Sequence, residues 1–421
     1  MIDYFTGKYI WLSNNPKVRK ELLLVSLFSN LGILGFFKYF NFFIGSFDNI
    51  TNLFGYNLDY LHLNIILPVG ISFYTFQTLT YTIDIYRNEI KPVNSFTDFA
   101  LYVSFFPQLV AGPIERAKNL LPQISKMPTP TLEQFKQGFI LITIGMFKKV
   151  LIGDTTGRIV DQIFAQPKYY ASSEMLMALI LFSIQIYADF SGYSSIARGT
   201  AKWLGIELME NFNQPYLSSN ITEFWRRWHI SLSTWLKDYL YITLGGNRKG
   251  NLRTYINLMI TMLLGGLWHG ASWTYVVWGG LHGIYLTIHK FIIGNKKIDI
   301  AYKFDSYKGF GIFILKIFVV NVLVLVTWLF FRAKTFGDAA YFFDRFINWE
   351  RGNFDVRVTL ITFSFLIVTL LIDVCEYYYK DHEFLLRLKP EYRYGFATVC
   401  WVMILLYMFQ AAPMPFIYFQ F

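Results

Sequence analysis

Charged residues are scarce in this chain. Only 16% of its 421 residues are Asp, Glu, Lys or Arg, where an ordinary soluble domain carries about 25%. A soluble fold of this length would need roughly three domains' worth of polar surface. Instead 54% of the residues are apolar, 20% are aromatic and the mean hydropathy is +0.36. This composition argues against a cytosolic globular protein and for an integral membrane protein. Cysteine is nearly absent as well. Cys375 and Cys400 both lie inside apolar stretches, so neither a disulfide framework nor a zinc site is indicated. The first residues, Met1 to Lys20, lack a signal peptide's basic-then-apolar order and small-residue cleavage site, and the first apolar run is expected to stay as a span. There is no Gly-rich phosphate loop ahead of a Lys-Ser/Thr, no cluster at metal-ligand spacing and no Gly-x-Ser-x-Gly elbow. No metal and no bound cofactor are therefore expected.

Charge, where present, is informative. The net charge of +10 gathers in the gaps between apolar runs, where cytoplasmic loops hold Lys and Arg beside anionic lipid. It points to membrane lipids as partners and requires no nucleic acid. Apolar runs fall near 21–46, 63–84, 98–112, 137–153, 172–190, 254–268, 272–293, 309–331, 357–379 and 394–412. A straight helix needs roughly 20 residues to cross about 30 Å of hydrocarbon. The runs at 98–112 and 254–268 are therefore candidates for re-entrant or buried segments, which survive at membrane depth only under protein cover. The expectation is an all-α, polytopic membrane protein with about nine to eleven transmembrane or re-entrant helices, a single domain over 1–421.

The loops suggest orientation. Lys17, Arg19 and Lys20 precede the first run, whereas Ser46 to Asn64 contains no Lys or Arg, so the first helix should run from cytoplasm to outside. The segment 193–253 carries eight Lys or Arg, among them Arg226, Arg227 and Arg248, and is placed inside. With a hairpin over 254–268 and 272–293, Lys296, Lys297, Lys303 and Lys308 return to the cytoplasm, and the C-terminus finishes outside. The same 193–253 segment is rich in Trp, Tyr and Leu and reads as amphipathic or re-entrant helices against the membrane, one of them over Ala201 to Glu210.

Two segments hold candidate chemistry. The first runs from Asn211 to Tyr216 and on through Thr222-Glu223-Phe224-Trp225-Arg226-Arg227-Trp228-His229-Ile230-Ser231-Leu232-Ser233. Such a mix of Arg, Trp and His entering an apolar zone is costly unless it lines a polar cavity. A basic and aromatic interfacial anchor explains the Arg-Trp pairs but accounts less well for His229. The second is Gly265-Gly266-Leu267-Trp268-His269-Gly270-Ala271. An ionisable group inside a span is a functional candidate by default, glycines let backbones approach closely, and a neutral imidazole in an apolar site suits general-base work. The bland alternative is a histidine that merely hydrogen-bonds a neighbouring helix. His282, 13 residues after His269, either lines the same cavity or packs between helices. His62, His289 and His382 read as interfacial. Asp189 and Ser191 place an acid and a hydroxyl at a membrane boundary without a demonstrable His partner, and read as wall or structural residues.

At these residues the sequence resembles the membrane-bound O-acyltransferase family, and within it the alginate O-acetyltransferase branch. The matching stretches are Pro107 to Ile114, Tyr187 to Tyr193, Asn211 to Ser233, Leu244-Gly245-Gly246-Asn247-Arg248, Gly265 to Ala271 and the ending Pro415 to Phe421. The resemblance implies helices around a tunnel through the bilayer, reached by an acyl thioester from one side and a hydroxyl acceptor from the other. It implies that a histidine in an apolar helix pairs with an upstream polar residue; here these fall on His269 and His229. It also implies further apolar segments before the position of Met1. His269 is then the candidate base, and His229 either orients a substrate or donates to the developing oxyanion. Arg226 and Arg227 either meet the phosphates of acetyl-CoA, the expected co-substrate, since guanidinium matches phosphate bidentately, or anchor the loop. Trp228, Trp268, Asp189, Ser191 and His282 are kept as candidate substrate-site residues. The implied activity is acetyl transfer from a cytoplasmic donor toward an exported polysaccharide, through an extracytoplasmic acetyltransferase partner or directly, in a bacterial cell membrane. D-alanyl transfer to teichoic acid and a non-enzymatic transporter are the alternatives; the Leu-Gly-Gly-Asn-Arg stretch and the terminal segment favour the acetyl branch.

Overall fold

The structure, a computed structural model, describes residues 1–55, 61–109, 112–294, 307–350, 356–412 and 414–417. Val110, Ala111, Lys296, Lys297, Lys303 and Tyr418 to Phe421, together with part of the Ser46–Asn64 loop, lie outside the described residues. Among those described, regular structure is entirely helical. Among the described residues six helices are long and apolar enough to cross a bilayer: Pro16–Phe54, Ser172–Trp203, Trp273–Ile293, Lys308–Arg332, Val356–Tyr379 and Pro390–Gln410. The protein is a multi-pass membrane protein.

The chain forms two compact units, 1–135 with 200–209, and 136–199 with 210–421. In the first, α1 (Ile2–Leu12), α2 (Pro16–Phe54) and α3 (Ile71–Tyr86) pack around a polar seam. Asp3 there accepts hydrogen bonds from Ser26 at 2.6 Å and Asn30 at 2.8 Å. The apolar run at 63–84 becomes helical only at Ile71, because Pro68 disfavours helix in the residue before it and Gly70 turns the chain at φ +77°. The run at 98–112 is broken, as its length suggested: α4 (Phe96–Ser104) stops, and a single turn restarts at Phe106-Pro107. After it comes α5 (Ala117–Lys126).

The second unit begins within α6 (Leu132–Met146), which passes through a π-helical stretch, Phe147–Gly153, into α7 (Asp154–Ala165). The long α8 (Ser172–Trp203) is the central helix. It buries 78% of its most apolar window, whereas the other five spanning helices bury 11–28% and leave the rest for lipid. The expected helix over Ala201 to Glu210 does not form. Gly205, at φ +75°, closes α8 by letting the Ile206 N–H reach back to the Ala201 carbonyl at 2.9 Å, and Ile206 to Glu210 continue without helix. Within 211–235, Glu223, Phe224, Trp228 and His229 are all at most 1% exposed, whereas Asn213 and Arg226 are exposed.

Short helices α9 (Ile221–Arg227) and α10 (Ile230–Trp235) follow, then the hairpin α11 (Asn251–His269) and α12 (Trp273–Ile293) that the sequence suggested. The chain continues through α13 (Tyr307–Arg332), α14 (Phe336–Ile347), α15 (Val356–Tyr379) and α16 (Pro390–Gln410). Helix α14 falls between two apolar runs, and its signal was local: Thr335 and Asp338 form a reciprocal capping box.

Candidate active site

His229 owes its place to a turn that the preceding residues build. Asn220 caps α9 by accepting the Glu223 N–H at 2.9 Å, while Glu223 accepts from the Ser219 N–H at 3.0 Å and pairs with Arg227 at 2.8 Å. The chain then folds back on 211–213. The Asn213 N–H donates to the Arg227 carbonyl at 3.0 Å, and the Ile230 N–H to the Asn211 carbonyl at 2.9 Å. The Ser231 N–H donates to Asn211 Oδ1 at 3.2 Å. Between these bonds His229 is held at φ +43°, a left-handed conformation that costs a residue with a Cβ roughly 1–2 kcal/mol. Such strain persists where the surroundings over-determine it, and it clusters at functional sites. The ring is fully buried, and burial pushes its pKa down to about 3, so it is neutral at pH 7.

His269 ends α11, at the turn into α12. A Cβ on Gly266 would overlap the Tyr275 carbonyl oxygen, and one on Gly279 that of Met262. These glycines bring two backbones into contact, the arrangement by which helices associate in lipid. The His269 ring is 5% exposed, edge-on to Trp278 at 4.9 Å, Trp268 at 5.0 Å and Phe331 at 5.4 Å between centroids. His229 stands edge-on to Phe190 at 4.7 Å. The two imidazoles are 6.3 Å apart. Phe331, on α13, was read only as part of an apolar span, and nothing in its local sequence marks it as a wall of this site.

Two cavities of the second unit flank the hairpin. One, of about 450 Å³, carries Arg226, Lys237 and Lys290 and is floored by Thr254, Leu258 and Met262 of α11. Positions 254, 258, 262, 265 and 269 recur at helical spacing, so the floor of this cavity shares one face of α11 with His269. The other, of about 560 Å³, lies at the far end of the hairpin against Ala271, Ser272 and Tyr275, with Arg332 and Lys334.

The remaining sequence candidates divide. Arg226 is exposed to the first cavity. Arg227, about 100° further round the helix, is buried in its pair with Glu223 and over the Tyr377 ring at 5.5 Å. Trp228 packs on Phe212 and Trp328, both at 5.0 Å between centroids. Trp268 stands 6.0 Å from the His229 ring. His282 is a packing residue: Nδ1 accepts from Trp225 Nε1 at 3.2 Å, and Nε2 meets Thr327 Oγ1 at 3.0 Å. Because the Thr327 hydroxyl donates to the Val324 carbonyl, Nε2 carries the proton, and both ring nitrogens are engaged. Asp189 pairs with Lys149 at 2.7 Å and accepts the Ile417 N–H at 2.7 Å. Ser191 is buried beside Asn211 and Glu376.

His382 lies in the loop between α15 and α16. It is partly buried between Glu376 at 3.1 Å and Glu210 at 3.4 Å. Burial opposes its charge, but Glu376 and Glu210 outweigh that and raise its pKa to about 9. A histidine whose folded pKa is raised stabilises the fold fully below its unfolded value near 6.5 and loses that contribution as pH rises through the folded value. The apparent melting temperature in detergent is therefore expected to fall between pH 6.5 and 9. His382→Gln should flatten that slope, and an unchanged slope in the variant would refute the assignment.

Comparison with known proteins shows the family. The family model described as MBOAT, membrane-bound O-acyltransferase family, matches residues 86–332, which include both histidines. The chain is 40% identical over 374 residues to the Pseudomonas putida protein named "Probable alginate O-acetylase AlgI", covering 88% of this chain and 74% of that one. It is 37% identical to the peptidoglycan O-acetyltransferase of Helicobacter pylori, covering 80% of this chain and 67% of the relative. It is 28% identical to the teichoic acid D-alanyltransferase of Streptococcus thermophilus, covering 54% and 58%. The chain thus spans 58–74% of the length of these relatives. It belongs to the membrane-bound O-acyltransferase family and is a multi-pass membrane acyltransferase.

Proposed function

We propose that the protein takes an acetyl group from a cytoplasmic thioester, acetyl-CoA, and passes it across the membrane for O-acetylation of an exported or cell-wall polysaccharide. The observation that carries this reading is the pair of buried imidazoles 6.3 Å apart, and a cavity lined with cations lies against the same helix, α11. His269 takes the proton of the acceptor hydroxyl as its oxygen attacks the acyl carbonyl. His229, neutral and able to donate, stabilises the oxyanion. The C–S bond then breaks and the thiolate leaves with the proton from His269, so that ester and thiol are the only products. Arg226, with Lys237 and Lys290, meets the donor's phosphates, and Arg227 supports α9 from its pair with Glu223. The acceptor, a polysaccharide or the hydroxyl of an extracytoplasmic partner, enters from the opposite side. The transporter alternative falls with membership in an acyltransferase family. Acetyl transfer is favoured over D-alanyl transfer by the higher identity to the O-acetylating relatives.

The test is a proteoliposome assay with radiolabelled acetyl-CoA and, in parallel, a D-alanyl thioester. Label from acetyl-CoA should appear in a hydroxyl ester, and Arg226→Ala should raise the donor KM by about tenfold, the loss of one charge-assisted phosphate contact, with kcat little changed. Transfer of the D-alanyl group alone would overturn the proposal.

A further inference from the structure

A second cluster of charge lies under the segment that carries His229, outside the two cavities. Lys148, on the π-helical stretch, and Glu376, on α15, are 4% and 2% exposed and 3.0 Å apart. Glu376 Oε2 also accepts from Gln214 Nε2 at 3.1 Å and pairs with His382 Nδ1 at 3.1 Å. His382 and Arg198 both reach Glu210, at 3.4 and 3.2 Å. Nearby, the Tyr187 hydroxyl donates to Asp373 at 2.7 Å. Burying so many charges is expensive, and none of them belongs to the chemistry proposed above.

Glu376, His382 and Arg198 converge on the short stretch 210–214. Glu210 and Gln214 stand at its two ends, and Gln214 is itself held at φ +44°. Between them Asn211 accepts the Ile230 and Ser231 N–H groups, the bonds that follow directly on His229. Asn211 Nδ2, Ser191 Oγ, Ser194 Oγ and Arg198 Nε have no hydrogen-bond partner among the described residues. All four residues line a cavity of about 10 Å³ beside Lys148, Glu376 and His382, room for about one water.

We infer that this cluster is the positioning device of His229: Glu376 and His382, acting through Glu210, Gln214 and Asn211, hold 210–214 in the place that forces His229 into its left-handed turn. The inference rests on the catalytic reading of His229. It makes Glu376, His382 and Gln214 positioning residues, remote from the reacting atoms.

Two mild variants test it, His382→Gln and Gln214→Asn; the second keeps a residue tolerant of positive φ but is too short to reach Glu376. In both, amide hydrogen exchange at Asn213, Ile230 and Ser231 should quicken about tenfold, while the hairpin 251–293 exchanges as before. Acyl transfer should lose about tenfold in kcat with the donor KM within about twofold, as expected of a displaced rather than a missing group. Unchanged exchange at those three amides overturns the inference whatever the activity does. So does an equal rise across the hairpin, which would mark general support of the fold. Full transfer by His229→Ala would instead sink the catalytic reading, and the exchange result would stand apart from it.

Discussion

His269→Gln should remove acyl transfer while the protein still accumulates in the membrane. A positioned general base contributes about 10²–10⁴-fold, or about 3–5 kcal/mol of transition-state stabilisation, and glutamine has hydrogen-bonding reach close to that of histidine without the basicity. His269 sits at the last residue of α11. The close contact of α11 with α12 is made by Gly266 and Gly279, so the hairpin should survive the change. His269→Ala should behave alike in activity but lose the edge contacts to Trp268, Trp278 and Phe331, and so cost more stability. The measurement is O-acetylation of the acceptor alongside membrane abundance. Full activity in the Gln variant would reduce His269 to a hydrogen-bonding role, and disappearance of the protein would make it a folding residue.

His229→Ala is expected to lower transfer by about 10²–10³-fold, the usual effect of losing one oxyanion donor. This variant carries a second effect, because alanine at φ +43° keeps the strain without the edge contact to Phe190. His229→Asn separates the two. Asparagine tolerates the left-handed region, so thermal stability in detergent should stay closer to that of the native protein than in the Ala variant. Transfer should remain at least tenfold down, because the shorter side chain stops short of the acyl carbonyl. Native activity in His229→Asn, or an Ala variant impaired only in melting temperature, would contradict the proposed role.

Much of this site was legible in the sequence, for a physical reason. Ionisable residues are rare at membrane depth, so His229 and His269 stand out by cost alone, and the glycines beside His269 announced a close helix contact. What escaped was set by distant partners. Phe331 and Trp328 became walls only because α13 packs against the hairpin. His382 is a loop histidine, and nothing in its local sequence shows that Glu376 and Glu210 pair with it. Arg226 and Arg227 are neighbours in sequence, and the turn of the helix sends one to a cavity and the other to Glu223. The helix expected over Ala201 to Glu210 failed for a local reason that could have been read: Gly205 marks its end.

The contact between Gly266 and Gly279 also bears on motion. With backbone against backbone and no side chain between them, α11 and α12 have no room to slide without losing van der Waals contact, and in lipid that contact is most of what holds helices together. The hairpin therefore moves as one rigid body and carries His269 with it.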